Sequence, residues 1–121
     1  MMSPSLKEKR ATPRIQPYIV PCLLIDGDSG LPGYLTDLST RGGRAACEGE
    51  LLVGRAVVLE FRIGRQVEPS RIKAAVKWIR KTARGMRAVG LRFEKVAPAE
   101  RKALEELVEE FRRRVAEIGQ G

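Results

Sequence analysis

Between Tyr18 and Phe93 the chain breaks into short, evenly spaced runs of β-branched and apolar residues, each closed by glycine or a small polar cluster. Tyr18–Ile25 is followed by Asp26-Gly27-Asp28-Ser29-Gly30, all residues that form turns. Gly33–Ser39 is a second run closed by Gly42-Gly43, Gly43–Cys47 a short third, and Ala56–Ile63 a fourth ended by Gly64. Ile72, Ala74, Val76 and Trp78 then alternate with Lys73, Ala75, Lys77 and Ile79, the period of two of a half-buried strand. Thr82–Arg87, holding Gly85, suits a hairpin that returns through Ala88–Phe93. Runs of this length and spacing predict a mainly β fold, a small barrel or sandwich with mostly antiparallel neighbours.

The two flanks read differently. Residues 1–17 are polar and basic, and Pro4, Pro13 and Pro17 break any helix, which predicts a flexible basic arm. After Pro98, a good first helical residue, apolar groups fall at Leu104, Leu107, Val108, Phe111, Val115 and Ile118, one stripe of a helix. Glu100 near its start and Arg112-Arg113-Arg114 near its end suit the helix dipole, and Glu109–Arg113 and Glu110–Arg114 are favourable i,i+4 pairs. The stripe is expected to pack on the open end of the β body, a homodimer seam being its other use. The chain thus divides into an arm (1–17), a β body (18–96) and a helix with tail (97–121), all within one domain.

Composition removes several functions. The sequence has no His, so it holds no Ser-His-Asp triad, no Cys-His dyad and no imidazole ligand for zinc. Cys22 and Cys47 lack metal or redox spacing and read as small buried hydrophobes with free thiols. No apolar run approaches the roughly 18–20 residues of a membrane span, and the first ten residues hold no secretory apolar stretch. A cytoplasmic location is expected. The net charge of +8 is concentrated in residues 71–95, where nine Lys/Arg face only Glu94. Such a segment attracts a polyanion, a phosphate ligand or an acidic partner, or else forms a solvated strand face. It carries no helix-turn-helix, zinc-finger or RNA-recognition signature, so nucleic acid is not the expected partner.

Two clusters carry chemistry. Arg10 and Arg14 form an RxxxR in the arm, and Pro13 holds Thr12 away from helical geometry. On extended chain the two guanidinium forks reach points about 10 Å apart, and each suits phosphate, the O6/N7 edge of guanine or stacking on a base. Asp37-Leu38-Ser39-Thr40-Arg41-Gly42-Gly43 ends the second run. Asp37 and Ser39 would share a strand face, Asp accepting guanine N–H groups and Ser donating to an oxygen. Gly42 and Gly43 permit positive φ and close approach to the backbone. The competing reading is a strand-ending turn in which Asp37 and Ser39 bond their own backbone.

Taken in order, RxxxR and then D/NxSxxG, here Arg10, Arg14, Asp37, Ser39 and Gly42, resemble the signature of the PilZ domain, a receptor for the bacterial second messenger cyclic di-GMP. Pro17–Ile25, the LVGRAVVLEF segment, Ala75–Trp78, VGLRF and the Ala97-Pro98-Ala99-Glu100 helix entry resemble further parts of that family. The resemblance implies a six-stranded antiparallel β-barrel capped by the C-terminal helix, with ligand on the outer wall and the arm wrapped over it. It implies that Arg10 and Arg14 hold guanine edges and phosphates, that Asp37 and Ser39 read the guanine, and that Gly42 gives space and backbone contact. No cofactor, metal or catalytic residue is expected. The output would pass to an unidentified downstream protein, because the sequence shows no attached catalytic, receiver or membrane domain. Lys9 stands where many members have Arg, at a position linked to binding one ligand or a stacked pair. The alternative functions are a PilZ-fold adaptor without nucleotide binding and a basic nucleic-acid module.

Overall fold

The structure, a computed structural model, describes residues 18–120, so the arm with Arg10 and Arg14 lies outside the described residues. Six strands follow in chain order: β1 (Val20–Asp26), β2 (Ser29–Leu38), β3 (Gly42–Glu48), β4 (Ala56–Phe61), β5 (Ser70–Lys81) and β6 (Met86–Phe93). They close into a barrel in the order β1-β2-β3-β6-β5-β4, every neighbouring pair antiparallel. Helix α1 (Pro98–Gln120) follows. This is the six-stranded antiparallel barrel with a C-terminal helix that the resemblance implies.

Alternation builds the interior. Leu24, Leu35, Leu38, Leu59, Val76 and Val89 point inward and are fully buried. Leu104, Val108 and Phe111 of α1 join the same core, while Tyr18 packs its ring on Phe111 with centroids 5.4 Å apart. Burying a side chain of this size contributes roughly 1.5–3 kcal/mol, so the helix is held by its stripe rather than by propensity. Pro98 opens the helix as predicted; the Ala97 N–H donates to Glu100 Oε1 (3.2 Å), a reciprocal half of a capping box. The stripe outruns the barrel, leaving Val115 exposed. Of the expected helix pairs, Glu110–Arg114 forms; Arg113 turns to Glu110 and Glu117 rather than to Glu109.

Three boundaries differ from the sequence reading. Asp26–Gly30 is not a five-residue turn: only Gly27-Asp28 turn, and β2 starts at Ser29 paired with Asp26. Gly27 at φ 63 supplies the left-handed first position of such a tight hairpin. Pro32 is tolerated in β2 because pairing with β3 starts only at Gly33. Ile63 is buried but outside β4, its N–H donating to Gln66 Oε1 (2.8 Å).

Two bulges re-aim the outer wall. The β2–β3 register shifts between Leu35 and Asp37, which lets Leu35 and Leu38, three apart, both face the core. The β5–β6 register shifts between Val76 and Trp78. The expected alternation therefore breaks at Lys77: Ile79 pairs with buried Val89, and Trp78 turns outward over Gly90.

Candidate functional site

The end of β2 and the start of β3 make one tight corner. Ser39 N–H donates to Gly42 O (2.8 Å), and the Ser39 hydroxyl donates to the same oxygen (3.2 Å). Ser39 Oγ in turn accepts the N–H groups of Arg41 and Gly42, both at 3.2 Å. Ser39 therefore shapes the corner through its own backbone, as in the turn reading of the sequence. Asp37 sits on the outer wall, half exposed, and accepts a hydrogen bond from Arg44 Nη2 at 3.3 Å.

Gly42 and Gly43 serve close packing. Neither takes a positive φ. A Cβ at Gly42 would lie 2.0 Å from Leu91 O, and one at Gly43 2.8 Å from Asp37 O. The space expected for a ligand on the side-chain side of Gly42 is filled by the β6 backbone, because β3 and β6 pair there, Gly42 opposite Arg92.

Around this corner lies a depression of about 750 Å³ lined by Asp37, Ser39, Gly42 and the cations Arg41, Arg44, Arg92, Lys95 and Arg101. Three of the five expected site residues thus line one depression, and the other two, Arg10 and Arg14, lie outside the described residues. The cations come from the corner, β3, β6, the β6–α1 linker and α1, and their excess over Asp37 draws anions to this wall. Lys95 holds a left-handed φ of 38 in the linker. The sequence reading did not single out Arg44, Arg92, Lys95 or Arg101. The charge excess of residues 71–95 was their signal for Arg92 and Lys95; Arg44 and Arg101 had none beyond proximity in the fold.

Beside the depression the outer wall becomes flat. Arg44 on β3, Gly90 on β6 and Trp78 on β5 share one row across the strands. A Cβ on Gly90 would meet Trp78 Nε1 at 2.1 Å, so the indole lies directly on that glycine. Arg80 sits over the indole, 5.2 Å from its centroid. In the next row Ala46 and Ala88 lead to Arg80. Small residues, one aromatic face and forked cations are the materials for holding planar bases and phosphates.

A closed small barrel with an anion-attracting outer wall is the class that fold and site define. The PilZ domain profile matches residues 8–110, and the chain belongs to the PilZ domain family. Among solved structures it is similar to the PilZ domain with c-di-GMP of YcgR from Escherichia coli, at 24% identity and TM-score 0.70 over 84% of this chain and 88% of that one. It is also similar to YcgR in complex with c-di-GMP from Escherichia coli, at 23% identity and TM-score 0.68 over 84% of this chain and 45% of that one. The Bacillus subtilis inhibitor of motility MotI/DgrA matches at 14% identity and TM-score 0.64, over 84% of this chain and 49% of that one. The chain spans about half the length of these last two. A search of curated proteins finds no match.

Proposed function

We propose that the chain is a non-enzymatic receptor for cyclic di-GMP that passes the signal to a partner protein. The supporting observation is where the strands deliver the arm. Val20 pairs with Leu35, so chain preceding Val20 leaves the barrel beside Asp37. Arg14 stands six residues before Val20, a reach of about 20 Å of extended chain, and Arg10 four residues further. Both arginines thus have the reach to close over the depression at Asp37, Ser39 and Gly42.

The chemistry fits that ligand. Two phosphates match Arg10, Arg14 and the cations of the wall, Arg44 and Arg92 first among them. Asp37 accepts the N–H edge of a guanine, exchanging its Arg44 partner for the base. Ser39 and Gly42 hold the corner that aims Asp37. Rearrangement of the arm and the surface on binding supplies two states for a partner to distinguish, with binding free energy setting their ratio. Support also comes from the neighbours: PilZ domains are ligand-binding regulatory domains, and the structures of YcgR are complexes with c-di-GMP. A bacterial, cytoplasmic setting follows from that ligand. The adaptor alternative draws on Asp37 and Ser39 being bonded within the protein.

Isothermal titration with cyclic di-GMP, beside GTP and a second cyclic dinucleotide, tests the reading. Saturable binding selective for cyclic di-GMP and lost in Arg14→Ala is expected, and its stoichiometry separates one ligand from a stacked pair. Absence of heat and of thermal stabilisation at excess ligand would leave the adaptor.

A further inference from the structure

The barrel end away from the depression carries a second surface of different chemistry. The β3–β4 loop, residues 49–55, crosses that end beneath β6 and β5. It is fastened at one side by Arg87 Nη1 donating to Gly49 O (2.6 Å) and at the other by Gly54 N–H donating to Val76 O (2.7 Å). Leu51 turns inward and is buried. Leu52 and Val53 turn outward and are 68% and 63% exposed, two adjacent aliphatics at the apex of a loop.

Basic residues flank them. The β5–β6 hairpin projects at the same end, with the bulge residue Lys77, Lys81 and, at its tip, Arg84 all exposed. Among the described residues none of the three is in an ion pair. Arg84 holds φ 64, a conformation that residues with a Cβ disfavour, next to Gly85 at φ 77. Lys81 stands opposite Arg87, like charges across a strand pair, which weakens the hairpin itself. A tip built against its own local stability, and left without counter-charge, is arranged for something outside the barrel. Two acids of this end, Asp26 and Glu50, are paired with Arg55 and Arg87. Glu48 lies at the base of the hairpin opposite Met86, and exposed Asp28 sits in the β1–β2 turn, across the barrel from β5 and β6 but at this same end.

We propose that this end, Leu52 and Val53 with Lys77, Lys81 and Arg84, seats the protein on an anionic lipid bilayer. Aliphatic side chains at a loop tip beside a hairpin of exposed cations match an interface where apolar groups enter the acyl boundary and cations meet lipid phosphates. Leu and Val are under-represented among the residues that anchor protein interfaces, where Trp, Tyr and Arg dominate, and that favours lipid over a protein partner. Gly54 of the loop bonds Val76, which pairs with Leu91 of the depression, so about two strand spacings, roughly 10 Å, separate the loop's end from the ligand wall.

The test is co-sedimentation of the full chain with vesicles of phosphatidylcholine alone or mixed with phosphatidylglycerol. Binding to the mixed vesicles, weakened by salt, is expected. Each cation reversed in Lys81→Glu/Arg84→Glu should weaken it about fivefold or more. Leu52→Ser/Val53→Ser should weaken it at least tenfold without changing the protein's charge. Lys102→Glu/Arg112→Glu on α1, with the same loss of charge elsewhere, should retain most of the binding. Melting temperatures near that of the parent show that the variants fold. Equal weakening by the α1 pair, or full binding by the Leu52/Val53 pair, would reduce the effect to net charge and overturn the proposal. Retention on poly-glutamate without vesicle binding would assign the surface to an acidic protein and overturn it equally.

Discussion

Trp78 rests on Gly90 so closely that the glycine is part of the tryptophan's seat: a Cβ there would come within 2.1 Å of Nε1. Gly90→Ala should push the indole off the wall and free Arg80 from its face. We expect a loss of about 1–3 kcal/mol in chemical denaturation and a red shift of tryptophan fluorescence, Trp78 being the only tryptophan. An unshifted spectrum with unchanged stability would mean that the indole has another seat.

Asp37 and Ser39 should respond to mutation in different ways. The Asp37–Arg44 pair is half exposed, so Asp37→Ala should change stability by no more than about 1 kcal/mol. On the proposed function it should nonetheless weaken cyclic di-GMP by about 10–100-fold, the value of a hydrogen bond to a charged group. Ser39→Ala removes the hydroxyl that joins three backbone groups of the corner and should cost about 1–2 kcal/mol in stability as well. Paired titration and melting of the two variants checks the difference.

The thiols should be inert in the folded protein. Burial, and next the neighbouring Cys47 thiol, pushes the Cys22 pKa up to about 12, and burial raises that of Cys47. A raised pKa stabilises the fold fully below the unfolded value and the contribution is lost as pH rises through about 12. Labelling with a chromogenic disulfide at pH 8 should therefore be negligible until denaturant unfolds the barrel, and then count both thiols.

Glu110 sets the sign of an acid effect on α1. Hydrogen bonds from Arg114 first and Arg113 second hold its carboxyl below the usual range. Its contribution is present above the unfolded carboxylate pKa and lost as pH falls through the folded one. Glu110→Gln should lower stability at neutral and alkaline pH and converge with the parent as pH falls below the carboxylate range, which flattens the acid side of the curve, as read from melting temperature against pH.

The barrel was legible from periodicity because Leu24, Leu35, Leu59 and Val89 obey it, and the helix because its stripe changes period at Pro98. What the sequence concealed are the two bulges. Neither Thr36 nor Lys77 is a glycine or proline that would mark an irregularity, yet each shifts the phase of its strand. Trp78 consequently left the face on which alternation placed it. The candidate site was legible only in part. Asp37, Ser39 and Gly42 are adjacent in sequence, whereas Arg44, Arg92 and Arg101 meet them through strand order and helix placement. Gly42 looked like room for a ligand; the room belongs to Leu91.

Closure of the barrel has a consequence for how any signal leaves it. With β1 paired to β4 and β3 to β6, unpaired strand backbone among the described residues is confined to two short stretches, residues 29–32 of β2 beyond β3 and residues 77–81 of β5 beyond β4. Along the closed part of the ring a partner cannot append a strand, the route by which many extended peptides are captured. Recognition there is written in side chains: those of the outer wall, of the loop tips, or of the overhanging turn of α1 at Val115. The same closure leaves stray chains only those two short stretches as a template for edge-to-edge growth, one of them interrupted by Pro32, so most of the barrel can carry exposed arginines without recruiting copies of itself through its backbone.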